Sequence, residues 1–443
     1  MSDLPRRAVT RSAKLASLPL GFAGRTALGV GKRTFGKPAE AVAMEIQTRT
    51  AEQLFKVLGE LKGGAMKLGQ MLSIFEAALP AEIAGPYRAT LTKLQEAAPP
   101  LPASAVHKVL AQALGEDWRD SFAEFDDEPA AAASIGQVHK GVWHDGRVVA
   151  VKVQYPGAGK ALISDFNQLA RVGRLFGVLM PGLDVKSMLA ELKERVAEEL
   201  DYEIEAESQT IIREAYLDDP DFYIPEVIAQ AGDVLVTEWI DGTPLSKIIS
   251  EGDQETRNHA ALLYCRFLLS GPKRSELLHG DPHPGNFRLM EDGRLGVLDF
   301  GAVDHIPGGF QKRLGLLLRI GTMADIDEVE EALRREDFIR DDVEIDAESL
   351  QTFLGPITEP FVTETFAFNR EWLRDQAARV TDLRPTNVVR QLNLPPEYVI
   401  IHRVLSAGTG VLCQLDCEIP ARGESLKWIP GFADDEDEEL AVG

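Results

Sequence analysis

The sequence has few cysteines, no long apolar run and too little positive charge for a general nucleic-acid-binding protein. Its three cysteines, Cys265, Cys413 and Cys417, are too few and wrongly spaced for a disulfide framework or a zinc ribbon. No uninterrupted apolar run approaches the roughly 20 residues that a membrane-crossing helix needs. The formal net charge is −23, whereas phosphate backbones bind basic faces. These absences predict a cytoplasmic globular protein that spans no membrane and has no nucleic acid as partner.

The first 40 residues reverse the charge balance of the chain. Two acidic residues, Asp3 and Glu40, are outnumbered there by eight basic ones: Arg6, Arg7, Arg11, Lys14, Arg25, Lys32, Arg33 and Lys37. Apolar residues lie between the charges, and such an arm is typical of segments that contact an anionic membrane surface from one side. The alternative is a flexible tail, because Pro19 and Gly21 interrupt helix formation. At the other end, residues 431–443 are predicted to be a solvated acidic tail.

The segment AAAASIGQVHKGVWHDGRVVAVKVQYP, residues 130–156, predicts two antiparallel strands that follow an alanine-rich loop. Asp145 and Gly146 form the hairpin turn between the strands. In spacing, the segment matches the phosphate loop of protein kinases, G-x-G-x-x-G-x-V, and the following strand with V-A-I-K. The aligned loop positions are Ala131, Ala133, Gly136 and Val138. Lys152 then falls where a kinase lysine neutralises the nucleotide phosphates.

The segment HGDPHPGN, residues 279–286, predicts a rigid loop, because its prolines and glycines break helices and central strands. It has two interpretations: a transition-metal site formed by His279, Asp281 and His283, or a phosphoryl-transfer loop. A kinase catalytic loop has an aspartate five positions before a magnesium-binding asparagine, which is the spacing of Asp281 and Asn286. The strand RLGVLDFG then ends at an aspartate, residue 299. A Mg²⁺ ion prefers oxygen ligands, so the carboxylate of Asp299 would have a function in a magnesium site but none in a zinc site. The phosphoryl-transfer interpretation is therefore favoured.

Two further segments carry candidate site residues. MLAELKERVAEELDYEIEAESQ is predicted to be a helix that crowds acidic side chains into two turns. Like charges one turn apart repel, so a nearby cation such as Lys152 or Mg²⁺ would offset the repulsion; the alternative is a solvated acidic face. DVLVTEWIDGTPL is predicted to be a strand that leaves the core between Glu238 and Gly242. Glu238 and Ile240 then lie in a hinge whose backbone is suited to hydrogen-bond adenine.

These segments together resemble the UbiB (AarF-domain) family of atypical protein-kinase-like proteins, over residues 50–420 approximately. The motifs that carry the resemblance are KLGQ at residues 67–70, AAASIGQVH, VAVKVQYPG, ELDYEIEA, HGDPHPGN, DFG and PEYVIIHR. The resemblance implies an α+β, two-lobed, protein-kinase-like fold with an N-terminal helical extension and extra C-terminal helices. The implied divisions are a basic arm (1–40), the helical extension with the KxGQ motif (41–122), a kinase-like N-lobe (123–242), a C-lobe with C-terminal helices (243–430) and the acidic tail.

The resemblance also implies a role for each site residue. Lys152 is expected to pair with Glu205 and to contact the nucleotide phosphates. Asn286 and Asp299 are expected to bind Mg²⁺, and Asp281 to occupy the catalytic-base position.

A second set is expected to cover the nucleotide. The phosphate-covering positions are Ala131, Ala132, Ala133 and Ser134, followed by Val138. The KxGQ helix contributes Lys67 and Gln70, and its lysine is expected to reach toward Glu199 and Asp201. In this family the helix covers the region where a protein substrate would dock.

The sequence departs from typical protein kinases in two respects. No A-P-E follows the DFG motif, so the surface that a typical protein kinase uses to hold a peptide is missing. The catalytic loop reads H-G-D instead of H-R-D, so the arginine that would pair with an activation-loop phosphate is missing as well. We therefore expect a Mg²⁺-dependent, ATP-binding (or ADP-binding) atypical kinase or ATPase that supports quinone or isoprenoid-lipid metabolism, with a lipid or quinone-like small molecule as candidate partner. The alternatives are a soluble small-molecule phosphotransferase like the aminoglycoside and choline kinases, and a nucleotide-dependent scaffold without turnover.

The basic arm leads to a testable prediction. Deletion of residues 1–40 should weaken binding to anionic vesicles, because it removes the basic residues that a negative surface attracts. Added salt should mimic the deletion, since exposed charges are screened within about 10 Å at 0.1 M ionic strength. Co-sedimentation with vesicles measures both effects. Equal binding by the full-length and truncated proteins would favour the flexible-tail interpretation.

Overall fold

The computed structural model describes residues 100–133, 135–157, 200–380, 388 and 391–433. The predictions for the basic arm, for Lys67 and Gln70, for Ser134 and Glu199, and for most of the acidic tail lie outside these residues. The described chain divides into two compact units. The first contains the residues up to Glu203 together with Ala229–Val236, and the second contains Ile204–Ile228 and the residues from Thr237 onward.

The described part of the first unit starts with a helix, which is followed by a sheet. Helix α1 (Ala103–Leu114) buries Val106, Val109 and Leu110, which are spaced to share one helical face. A 3₁₀ turn (Trp118–Ser121) leads into β1 (Phe122–Ala132), β2 (Gly136–Trp143) and β3 (Val148–Gln154). These strands belong to a five-stranded sheet in the order β1-β2-β3-β6-β5, where β5 is Val227–Ala231 and β6 is Val234–Glu238.

The predicted hairpin is confirmed. Strands β2 and β3 pair antiparallel from Gly136 opposite Gln154 to Val142 opposite Val148. The Asp145 carboxylate accepts hydrogen bonds from the backbone N–H and the side chain of Arg147, and Gly146 has φ of 92°. This positive φ explains the glycine at the turn.

The predicted alanine-rich loop is wrong for Ala131 and Ala132. Both residues belong to β1, where they pair with Val138 and Gln137 of β2. Alanine has a low strand propensity, but the pairing partner on β2 decides the conformation. The turn therefore begins only at Ala133, whose N–H donates to the carbonyl of Gly136 at 3.0 Å.

The second unit is mainly helical and surrounds a core built on two long helices. Its elements, in chain order, are α2 (Tyr202–Ala215, which starts at the end of the first unit), β4 (Phe222–Tyr223), β7 (Thr243–Pro244), α3 (Leu245–Glu251), α4 (Gln254–Ser275), β8 (Leu277–His279), β9 (Phe287–Leu289), β10 (Leu295–Val297), β11 (Val303–His305), α5 (Gly308–Met323), α6 (Ile326–Arg335), α7 (Ala347–Val362), β12 (Phe366–Phe368), α8 (Arg370–Val380), α9 (Val399–Leu415), β13 (Cys417–Ile419) and α10 (Ala421–Trp428). A four-stranded sheet has the order β4-β10-β9-β7, and β8 pairs with β11.

Helices α4 and α9 supply much of the second unit's core. Helix α4 starts at the N-cap Asp253, whose carboxylate accepts from the Thr256 N–H, and it buries Tyr264 and Phe267.

Among the described residues, one helical stretch, Pro396–Leu415, is long and apolar enough to cross a membrane by length and composition, with a mean hydropathy of 1.2. However, 56% of that stretch is buried inside the structure. This is the burial of a core helix. The three cysteines are buried in the same core.

A buried histidine links strands β1 and β2. His139 is fully buried, its Nδ1 lies 2.8 Å from the carbonyl of Asp126, and its Nε2 lies 2.8 Å from the side-chain nitrogen of Gln137. A carbonyl only accepts and an amide nitrogen only donates, so the ring carries its proton on Nδ1 and is neutral. Gln137 Oε1 accepts in turn from the Leu101 N–H at 2.7 Å. Burial lowers the pKa of His139 below its ordinary value of 6.5.

This network predicts loss of stability in mild acid. The folded state resists protonation of His139 whereas the unfolded state accepts it, so stability is present above pH 6.5 and falls as the pH drops below that value. One such group contributes at most about 1.4 kcal/mol per pH unit. His139→Gln should therefore flatten the fall of the melting temperature between pH 7.5 and 5.5. His144→Gln, an exposed position on the same hairpin, is the control and should retain the wild-type profile; identical profiles for both variants would contradict the assignment.

Candidate functional site

The first histidine of the HGDPHPGN loop is a core residue. His279 ends β8, and its ring packs against Phe267, Phe287 and Phe300 with centroids 5.4 to 6.0 Å apart. Its Nε2 donates to the carbonyl of Asp299 at 2.8 Å, and burial lowers the pKa of the ring so that it stays neutral. Among the described residues, no group of three or more His, Cys, Asp or Glu side chains is arranged to hold a metal ion. Because the His279 ring is buried and its Nε2 donates to the carbonyl of Asp299, His279 has a structural role, and this geometry favours the phosphoryl interpretation.

The rest of the loop is held by hydrogen bonds to its backbone carbonyls. This agrees with the rigid loop that its prolines and glycines predict. The Asn286 side chain donates to the carbonyl of Asp281 at 3.1 Å, and the Asn286 N–H donates to the carbonyl of His283 at 3.0 Å. The hydroxyl of Tyr264, from the core of α4, donates to the carbonyl of Pro282 at 2.6 Å. These bonds hold residues 281–286 as one compact turn with Asp281 and Asn286 at its two ends.

The structure brings the two predicted magnesium ligands to adjacent strands. Asn286 directly precedes β9, and Asp299 follows shortly after β10, which pairs antiparallel with β9. The Leu298 N–H donates to the carbonyl of Asn286 at 2.8 Å, so the residue before Asp299 is bonded to the other predicted ligand. Asp299 has φ of 61°, a conformation uncommon for residues other than glycine. Such backbone strain persists only where the surroundings hold it, and it clusters at functional sites.

A second carboxylate, that of Glu205, lies near Asp299. A Cβ atom built at Gly301 would be 3.4 Å from Asp299 Oδ1 and 3.4 Å from Glu205 Oε2, so both oxygens approach the same point. Glu205 is only 2% exposed. Two carboxylates that flank one position favour a bound cation. Sequence reasoning singled out Glu205 as a partner for Lys152, a pairing that stays a prediction, but missed its proximity to Asp299.

Lys152 lies in the first unit on β3, directly opposite Val138 of β2. Its Nζ is 5.3 Å from the ring centroid of Tyr202, a residue that is 1% exposed. The neighbouring turn is closed in both directions, because the Gly136 N–H also donates to the carbonyl of Ala133 at 3.4 Å. A side chain at Gly136 is excluded, since its Cβ would lie 2.3 Å from a backbone oxygen of β3. Lys152, Val138 and the Ala133 turn thus share one end of the hairpin.

The predicted hinge residues have structural side chains. Glu238 Oε2 accepts from the Tyr223 hydroxyl at 2.8 Å and from the Glu226 N–H at 2.9 Å. Burial, and to a smaller extent the hydrogen bond to Glu238, raises the pKa of Tyr223 to about 12. Ile240 is buried, and its Cγ2 would lie 3.0 Å from a Cβ at Gly296. The backbone contact with adenine stays a prediction.

Asp201 is an exposed residue at the start of α2. Its Oδ1 accepts from the Glu203 N–H at 3.0 Å, which is the hydrogen bond of a helix N-cap. Its predicted partner Lys67 lies outside the described residues, so that contact stays a prediction.

Comparison with known proteins identifies the family of this chain. Residues 93–333 match the model of the ABC1 atypical kinase-like domain, which is more than half of the chain. The chain belongs to the ABC1 atypical kinase-like family. The predicted UbiB resemblance and the protein-kinase-like α+β fold are therefore confirmed.

Individual relatives are similar over most of this chain. The mitochondrial atypical kinase coq-8 of Caenorhabditis elegans is 30% identical over 91% of this chain and 55% of its own length. The mitochondrial atypical kinase COQ8B of Danio rerio is 30% identical over 93% of this chain and 66% of its own. The chain thus spans between half and two thirds of these curated relatives. The structure of Rv3197 from Mycobacterium tuberculosis, solved with erythromycin, is 44% identical, with a TM-score of 0.68 over 90% of this chain and 100% of that one.

The H-G-D departure of this ABC1 chain has a structural reason. The Gly280 N–H donates to the carbonyl of Ala302 at 2.7 Å, and the Gly280 carbonyl accepts from Arg403 Nη2 at 3.3 Å. A Cβ at Gly280 would lie 3.0 Å from the Ala302 carbonyl oxygen and 3.0 Å from Asp304 Oδ2. Any side chain at this position would crowd these two oxygens, whereas glycine does not. Arg403 belongs to the PEYVIIHR motif, and sequence reasoning gave that motif no function at the loop.

This crowding predicts a cost for any side chain at residue 280. Gly280→Ala should lower the free energy of unfolding by about 1–3 kcal/mol, because a carbonyl and a carboxylate oxygen must move to admit one methyl group. Urea denaturation measures the change. Gly309→Ala is the control, since nothing lies within 4 Å of its added Cβ. Equal stability of the Gly280→Ala and wild-type proteins would show that the loop is looser than these distances indicate.

Proposed function

We propose that this protein is a Mg²⁺-dependent, ATP-binding atypical kinase or ATPase of the UbiB type that acts in quinone or isoprenoid-lipid metabolism. The observation that carries the proposal is the hydrogen bond between Leu298 and Asn286, which draws Asn286 and Asp299 together at adjacent strands. Membership of the ABC1 family supports the same conclusion. The curated relatives are named as atypical kinases, which extends the support to the type of reaction.

The donor set fits Mg²⁺. This ion prefers oxygen ligands and is held by one or two protein groups plus substrate phosphates, which matches one carboxylate and one amide. When bound, it would neutralise charge on the phosphates. In the proposal Asp281 occupies the catalytic-base position and orients the attacking group, while Lys152 contacts the phosphates. The reaction is in-line phosphoryl transfer to water or to a small or lipid-like acceptor, and it depends mainly on positioning.

The cover of the nucleotide belongs to the same proposal. The phosphate-covering residues are Ala131, Ala132, Ala133 and Ser134, and the KxGQ residues Lys67 and Gln70 act with Glu199 and Asp201 to exclude peptide substrates. The location of the protein is proposed to be peripheral to an anionic membrane through residues 1–40. The curated relatives are named as mitochondrial, so a cytoplasmic location stays a prediction.

The test is the substitution Asp299→Asn. Asparagine tolerates the positive φ of this position, so the fold should be retained while one ligand charge is lost. Nucleotide at 100 times its dissociation constant stabilises a protein by about 2.7 kcal/mol, and the variant should lose the Mg²⁺-dependent part of that stabilisation. Asp292→Asn is the matched control, because Asp292 lies in the turn between β9 and β10 and pairs only with Arg294 in the described contacts. Unchanged Mg²⁺-dependent stabilisation in Asp299→Asn would refute the assignment.

Phosphate release separates the alternatives. It is measured with and without anionic liposomes and quinone-like phenols, in the wild type and in Asp281→Asn. An enzyme should lose release in Asp281→Asn while retaining nucleotide binding, whereas a scaffold binds nucleotide and releases no phosphate in either protein. Erythromycin is a further additive to compare, because the Rv3197 relative was solved with it.

A further inference from the structure

The second unit contains a cleft that the proposed nucleotide and metal residues do not line. It lies between α5, α7 and α10 and has a volume of about 260 Å³. Its lining residues are Thr322, Met323, Phe361, Val362, Arg422 and Leu426, with Phe432 at the end of the described chain. Sites for drug-sized ligands measure about 300–1,000 Å³, so this cleft is suited to a single chain rather than to a polycyclic molecule.

The walls of the cleft are apolar and accessible. Met323 is 63% exposed and Val362 is 49% exposed, although both are large hydrophobic residues. The rings of Phe361 and Phe432, which both line the cleft, meet edge to face with centroids 6.1 Å apart. A concentration of exposed apolar side chains at a concave site marks a surface that binds a partner or ligand.

Arg422 is the single charged residue among those that line the cleft. Within the described residues it has neither an ion-pair partner nor a hydrogen-bond acceptor, and it is half-buried. The other arginines near α10 are satisfied: Arg266 pairs with Glu424 and Asp221, and Arg274 pairs with Asp219. A guanidinium that lies beside apolar walls and has no carboxylate partner among the described residues favours a bound anion, because its fork of donors matches a carboxylate or phosphate.

We propose that this cleft binds a free single-chain amphipathic anion, with its carboxylate or phosphate head on Arg422 and its hydrocarbon or isoprenoid tail between Met323, Phe361 and Val362. The proposal does not rest on the nucleotide site, since none of the lining residues belongs to it. Two kinds of lining residue supply the two parts of the recognition: the guanidinium selects charge, and the apolar side chains select a hydrocarbon chain.

The experiment uses decanoate as the probe, below the concentration at which it self-associates, and isothermal titration calorimetry on the full chain. Decanol is the uncharged probe of equal chain length. The wild type should bind decanoate more tightly than decanol. Arg422→Gln should weaken decanoate binding by about tenfold, the value of one charge-assisted hydrogen bond, and should leave decanol binding unchanged. Val362→Trp, at a half-exposed wall position that tolerates a larger side chain, should abolish binding of both probes.

Arg335→Gln is the matched control, because it removes an exposed guanidinium of the same unit that does not line the cleft. It should bind decanoate as the wild type does. The Mg²⁺-dependent stabilisation by ATP should be unchanged in all three variants, which confirms folding and separates this site from the nucleotide site. Absence of decanoate binding in the wild type, equal affinity for decanoate and decanol, or unchanged decanoate affinity in Arg422→Gln would each overturn the proposal.

Discussion

The candidate site depends on one backbone hydrogen bond, from the Leu298 N–H to the carbonyl of Asn286. It continues the ladder of β9 and β10 beyond their last strand residues, and so it carries Asn286 and Asp299 to a common edge. Strand pairing of this kind is buried and fully satisfied, which makes it costly to break. The proposed magnesium ligands thus have a relative position that the sheet defines and that a bound ion does not need to create.

A buried histidine in the core of the second unit supports the backbone of Asp299. His279 packs against three phenylalanine rings, and its Nε2–H donates a hydrogen bond to the carbonyl of Asp299. Because burial lowers the pKa of the ring, His279 remains a neutral hydrogen-bond donor. Its hydrogen bond holds the backbone of Asp299 in the uncommon conformation with positive φ. A residue that resembles a metal ligand in the sequence therefore supports the neighbouring residue that is proposed to be one.

The sequence predicted those features that depend on local chemistry. The Asp145-Gly146 turn, the strands on both sides of it and the rigid 279–286 loop follow from glycine, proline and alternating apolar residues, and the structure has them. It did not predict that Ala131 and Ala132 are strand residues, because their conformation depends on pairing with β2 and not on their own propensity. It also missed the contacts of Glu205 with the Gly301 position and of Arg403 with Gly280, since each joins elements about 100 residues or more apart. The Arg422 cleft was missed for the same reason, because three helices assemble it.

The Gly280 contacts bear on how such a site is controlled. In a typical protein kinase the arginine of the catalytic loop pairs with an activation-loop phosphate, so phosphorylation orders the site. Here that position is a buried glycine whose carbonyl accepts from Arg403 of α9, and its N–H donates to Ala302 immediately after the DFG motif. Both bonds are made within the second unit. The order of the loop is therefore set by packing against a core helix, and not by an arginine that pairs with a phosphate on an activation loop.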